Sequence, residues 1–195
     1  MSVWDLNEGT LIKQRSMKRC MKNDVIHYVK ANALKDLTGI PNRGEQFRII
    51  TEKQFNAYSL ILLLLENNII KEMYLAIYRI NQPTVNSIIR LIEEGRIKKS
   101  YFVISNYFNQ TKKPEVWAKK LRDFAVGNKS CNHIYTHNHS KVLAVKTDNN
   151  NHYVFEGSGN MSDNARIEQY LFEENEESFK FHSGWIKDLT NNGTY

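Results

Sequence analysis

Three features of the sequence predict an α/β domain with a mixed, largely parallel sheet flanked by helices. Between residues 46 and 127, apolar runs of strand length alternate with stretches of helical spacing, the pattern of repeated strand–helix units. The C-terminal third is richer in strands, which makes the sheet mixed. The chain of 195 residues, 41% hydrophobic and 25% charged, can bury a core without disulfide or metal staples. These values exclude a disordered, collagen-like or coiled-coil chain, and no repeat of solenoid or propeller period is present.

Residues 1–45 read as a small N-terminal appendage and 46–195 as the domain. The first segment is polar and weakly periodic; a helix is expected within 12–35 and a turn cluster at 39–44. Phe47, Ile49 and Ile50 predict a strand over 46–50. Thr51 and Gln54 have capping-box spacing, so a helix is expected over 51–66, with Phe55, Leu60, Leu63 and Leu64 inward and Asn67 and Asn68 at its end. A strand follows over 73–80. Asn81 as N-cap and Pro83 in the first turn open a second helix; Ile88, Ile89, Leu91 and Ile92 give it an apolar face and Gly95 ends it. Residues 100–105 read as a third strand. Pro114 opens a helix with Trp117, Leu121 and Phe124 on one face, closed by Gly127. A fourth strand is expected over 133–145, interrupted near Asn138. A polar turn at 147–151 leads to its hairpin partner over 152–156. A glycine-bracketed turn at 157–160, a short helix over 162–166, a strand over 168–173 and a helix over 176–189 complete the chain.

The 27 basic and 21 acidic residues leave a formal charge of +6, a balance that favours polyanions such as nucleic acid or acidic membrane surfaces. Lys13, Arg15, Lys18, Arg19 and Lys22 read as a solvated helix face, with a nucleic-acid contact as the rival reading. Glu173, Glu174, Glu176 and Glu177 read as a solvated acidic face. Cys20 and Cys131 form no CxxC pair, which disfavours a cysteine zinc site and a redox couple. The first residues lack the pattern of a signal peptide. The longest apolar run, 60–65, falls short of the roughly 20 residues a membrane span needs. A soluble, cytoplasmic protein without stable membrane association is expected.

The stretch that carries chemistry is His139-Ser140-Lys141, followed by Gly157-Ser158-Gly159-Asn160. On a strand, alternation would put His139 and Lys141 on one face. A lysine neutralises phosphate oxygens, and a histidine attacks phosphorus or moves protons near neutral pH. The glycines let backbone approach the same oxyanion, beside the short side chains of Ser158 and Asn160. Tyr107, Phe108 and Asn109 follow a strand's carboxyl end, where α/β sheets place ligands. With Lys112 they make Tyr107, Asn109 and Lys112 candidate substrate contacts. His133, His137, His139 and His152 raise a metal reading, but no carboxylate or cysteine pattern completes a ligand set. No metal and no cofactor is expected.

His139-x-Lys141 followed by Gly157-Ser158-x-Asn160 resembles the HxK…GSxN signature of the phospholipase D superfamily. The run 164–168, ending in Glu168, is similar to the family's short helix leading into a strand with an acidic residue. The likeness spans about 150 residues and implies a phospholipase D-like fold. It departs at Lys146, where the family pattern has an aspartate; the nearest acid is Asp148. The family pairs two HxK motifs and this chain has one. The resemblance therefore implies a homodimer that builds one site across its twofold axis. It implies a metal-independent phosphodiesterase, most naturally a nuclease, working through a phosphohistidine. His139 of one subunit would attack, and His139 of the other would protonate the leaving oxygen. Lys141 and Asn160 would hold phosphate, with Ser158 a lesser donor, and Glu168 would orient the imidazole. The alternative is a catalytically weak nucleic-acid- or phosphate-binding module of the same fold. A plain interaction protein would show neither cleavage nor salt-sensitive binding.

Overall fold

The computed structural model describes residues 25–31, 33, 36–37, 39–52, 57–109, 115–162 and 167–192. Among them, eight strands make one sheet: β1 (Val25–Lys30), β2 (Glu45–Thr51), β3 (Ile70–Ile77), β4 (Ser100–Ser105), β5 (Cys131–Thr136), β6 (Val142–Thr147), β7 (His152–Gly157) and β8 (Glu168–Glu174). The helices are α1 (Tyr58–Leu65), α2 (Gln82–Glu93), α3 (Val116–Gly127) and α4 (Glu176–Asn192).

The strand order is β1-β2-β8-β7-β6-β3-β4-β5. The sheet is mixed rather than largely parallel. β1/β2, β3/β4 and β4/β5 run parallel, whereas β2/β8, β8/β7, β7/β6 and β6/β3 run antiparallel. Connection length explains the division. Helices α2 and α3 carry the chain back for parallel pairing, but the short turn between β6 and β7 can join only antiparallel strands.

Continuous apolar runs in the central strands reflect burial on both faces. Met73, Leu75, Ile77, Phe102, Ile104, Leu143 and Phe155 belong to one core with Leu60 and Leu64 of α1, Ile88 of α2 and Trp117 and Leu121 of α3. The alternate residues Tyr74, Ala76, Tyr101, Val103, Ala144 and Val154 meet Phe179 and Ile186 of α4. Helix α2 starts as its sequence dictates: Asn81 Oδ1 accepts the Thr84 N–H at 3.0 Å, and Pro83 lies in the first turn. Gly95 ends the segment at φ 69°, a conformation that favours glycine.

Several expectations change. Within 12–35, residues 12–24 lie outside the described residues, and 25–30 form not a helix but β1, hydrogen-bonded to β2. Thr51 ends β2 instead of capping α1, which begins at Tyr58; Gln54 and Phe55 are outside the described residues. The run 133–145 is two strands, β5 and β6, which β3 and β4 separate in the sheet. The chain crosses between them over residues 137–141. Glu173 and Glu174 are buried rather than solvated. Glu173 accepts from Gln46 Nε2 at 2.9 Å and Ser178 Oγ at 2.6 Å, and Glu174 accepts the His152 N–H at 3.0 Å. Most of the helix expected over 162–166 is outside the described residues, as is the basic cluster from Lys13 to Lys22.

Candidate active site

The crossing from β5 to β6 passes the carboxyl ends of β3 and β4. That topology puts His139 and Lys141 on a loop at the sheet's end, not on a strand face. Buried Asn138 fixes the loop. Its Nδ2 donates to the Val103 carbonyl of β4 at 3.1 Å, and its Oδ1 accepts the Ser140 N–H at 2.9 Å. His139 is exposed. The Lys141 ammonium lies 3.3 Å from His139 Nδ1 and donates to the His139 carbonyl at 3.1 Å. Partial burial lowers the Lys141 pKa, opposed by the Glu168 carboxylate, which favours its charge.

Antiparallel pairing brings the end of β7 and the start of β8 to the same edge. Gly157 N–H donates to the Lys141 carbonyl at 3.2 Å, and Ser158 N–H donates to the Gln169 carbonyl at 3.0 Å. Ser158 Oγ donates to Glu168 and accepts the Gln169 N–H at 3.1 Å. Asn160 Oδ1 accepts the Arg79 N–H at 3.1 Å. Met161 bridges Ile80, which ties this turn to the end of β3. His139, Lys141, Ser158, Asn160 and Glu168 thus gather at one end of the sheet. Their detailed partners differ from the sequence expectation: the His139 imidazole is met by Lys141, and Glu168 is met by Ser158.

Sequence reading missed Tyr78, Arg79 and Asn138. The Tyr78 ring lies 4.7 Å from the His139 ring, centroid to centroid, and 5.8 Å from Lys141 Nζ. The signal was available: Tyr78 and Arg79 directly follow the apolar run of β3, at the carboxyl end where ligands bind. Tyr107 occupies a 3-10 turn (Asn106–Phe108) after β4 and is exposed. Asn109 is turned toward α3, where its Oδ1 accepts from Arg122 Nη1 at 3.3 Å. Lys112 lies outside the described residues.

The other histidines are dispersed. His152 starts β7, at the far end from Gly157, beside Phe179. His133 sits on β5 against Tyr135. Among the described residues, no three His, Cys, Asp or Glu side chains come together as metal ligands. Lys146, in the position where the family pattern has aspartate, lies about 16 Å along β6 from Lys141. It is in register with Glu72 and His152. Asp148 instead accepts the Ile69 N–H at 3.2 Å. No described helix is long and apolar enough to cross a membrane.

No family model and no curated protein sequence matches the chain. Among solved structures it is similar to Nuc, a phospholipase D family member from Salmonella typhimurium. The two are 18% identical with a TM-score of 0.50, over 71% of this chain and 89% of Nuc. The fold is phospholipase D-like. Yeast tyrosyl-DNA phosphodiesterase matches more distantly, at 11% identity and a TM-score of 0.40, over 64% of this chain and 31% of the enzyme. The phospholipase D-like fold accounts for the α/β architecture. What the site can do rests on its own residues.

Proposed function

We propose that the protein is a metal-independent phosphodiesterase acting on nucleic acid, through a phosphohistidine at a site shared across a homodimer. The observation that best supports this reading is the convergence of His139, Lys141 and the Ser158–Asn160 turn at one sheet end. On this reading one phosphate would take its nucleophile from His139, its countercharge from Lys141 and a side-chain amide donor from Asn160. His139 Nε2 attacks phosphorus and the bond to the leaving oxygen breaks. The partner's His139 gives that oxygen its proton. Now neutral, the same imidazole takes a proton from water, which attacks phosphorus and breaks the P–N bond. Lys141 and Asn160 hold the non-bridging oxygens, Ser158 is a lesser donor, and Glu168 holds Ser158 and balances Lys141.

Lys141 has a second part. At rest its ammonium is engaged with the His139 ring and carbonyl, and it must leave that contact to meet phosphate. When phosphate enters, Lys141 moves to its oxygens and releases the His139 ring. The resting contact also favours a second reading, a module that grips phosphate without cleaving it.

The test is incubation with single- and double-stranded DNA in excess EDTA, beside His139→Ala. Cleavage by the parent, reduced at least about 100-fold in the variant, is the expected result. No cleavage by the parent, with salt-sensitive binding that survives His139→Ala, selects the phosphate-binding module. Absence of both sinks both readings.

A further inference from the structure

A run of aromatic rings adjoins the His139–Lys141 pair, and phosphate chemistry has no use for it. Phe108 meets Tyr78 edge to face at 5.4 Å and lies 5.5 Å from Trp117. Tyr107 meets Phe108 at 5.1 Å and 81°. Phe108 and Trp117 are buried, while Tyr107 is 64% exposed. The exposed Arg79 guanidinium stands 5.8 Å from the centre of the Phe108 ring. Tyr107 gains little from burial, yet its position is fixed. Its backbone sits in a 3-10 turn, its N–H donates to Ser105 Oγ at 3.4 Å, and the next residue is anchored in the core. A flat ring is thus held out in solvent against Phe108, the same ring that the Arg79 cation meets, and Phe108 alone stands between it and Tyr78, which touches His139.

A duplex offers such a ring little, because its bases are stacked on each other and show only their edges in the grooves. An unpaired strand offers base faces, and base–aromatic stacking tolerates any sequence. We propose that Tyr107 and Arg79 form a base-stacking step beside the phosphate site, and that this step selects single-stranded nucleic acid over duplex. Tyr107 takes a base face, Arg79 takes a neighbouring phosphate, and the His139–Lys141 pair takes the phosphate to be cut. The inference rests on the phosphodiesterase reading for the identity of the site, but binding tests it without cleavage.

Fluorescence anisotropy on the full chain carrying His139→Ala, at one ionic strength, decides it. The probes are a single-stranded DNA oligonucleotide, the same strand annealed to its complement, and an abasic strand of equal length. The first should bind more tightly than the other two. Adding Tyr107→Ala should weaken the first about tenfold, equivalent to about 1.4 kcal/mol, and leave the abasic probe unchanged; Tyr107→Trp should retain the preference. Equal affinity for single strand and duplex overturns the proposal. So does a Tyr107→Ala loss that is the same on the abasic strand. Tyr107-dependent stacking with no cleavage by the parent supports this proposal while overturning the hydrolytic reading. Cleavage with no single-strand preference does the reverse.

Discussion

At the residue scale, Asn138 does more for the site than its place outside the motif indicates. It is 9% exposed, and its amide joins the crossing loop to β4 through Val103 while closing the loop on Ser140. Asn138→Ala removes both bonds and leaves the buried Val103 carbonyl without this donor. A loss of about 1–3 kcal/mol is expected, read as a lower urea midpoint. Because the loop carries His139 and Lys141, single-turnover cleavage should fall by about tenfold or more, beyond what the unfolded fraction explains. A variant with unchanged midpoint and rate would show that the loop is held by something else. The motif residues themselves were legible because their spacing is short and local. Asn138 was legible only as a break in a strand. Its partner Val103 lies 35 positions away, and that pairing exists only once β5 and β6 part to opposite sides of β3 and β4.

At the scale of elements, the entry to β8 depends on a missing side chain. A Cβ on Gly157 would stand 2.1 Å from Tyr170 Cδ1 and 2.5 Å from the Gln169 carbonyl oxygen. The buried tyrosine ring is stacked on Phe155, and the carbonyl is held by the Ser158 N–H. Gly157→Ala should therefore destabilise the fold by about 1–3 kcal/mol and displace the Ser158–Asn160 turn. Gly184, inside α4, has open space where its Cβ would be, so Gly184→Ala should stabilise by up to about 1 kcal/mol. Denaturant midpoints that moved the same way for both would contradict this account. Helices α2 and α3 could be read from the sequence because a cap or an apolar stripe writes them locally. Strand β1 could not. It is an edge strand whose exposed positions carry apolar Val25, Ile26 and Tyr28 while His27 faces inward, so polarity does not follow burial, and only its pairing with β2 makes it a strand.

At the scale of the whole molecule, two histidines at different places in the sheet give its stability a common pH dependence. Burial holds the His133 pKa below its ordinary 6.5, and the Arg122 guanidinium adds to the effect. Burial likewise lowers His152; Lys146 and Lys180 push the same way, against the carboxylates of Glu176 and Glu174. Each base binds its proton less tightly in the fold than in the unfolded chain, so near and below 6.5 the unfolded chain binds more protons than the folded one. Stability must then drop as pH falls from the unfolded value through the lowered folded ones. Glu156, whose pKa is lowered by the His182 hydrogen bond, acts in a separate window: its contribution is lost only below its ordinary 4.5. Thermal midpoints should decline between about pH 7.5 and about pH 5.5, and the pair His133→Gln and His152→Gln should flatten that decline. A flat or rising midpoint in the parent would refute the assignment. Lys146→Asp sharpens the test, because it replaces a cation beside His152 with the acid of the family pattern. It should raise the His152 pKa and shrink the decline, while the site at the other end of β6 keeps its His139, Lys141 and Asn160 in place. Unchanged cleavage with altered pH dependence would mean that Lys146 sets how the sheet tolerates acid, not whether the site works.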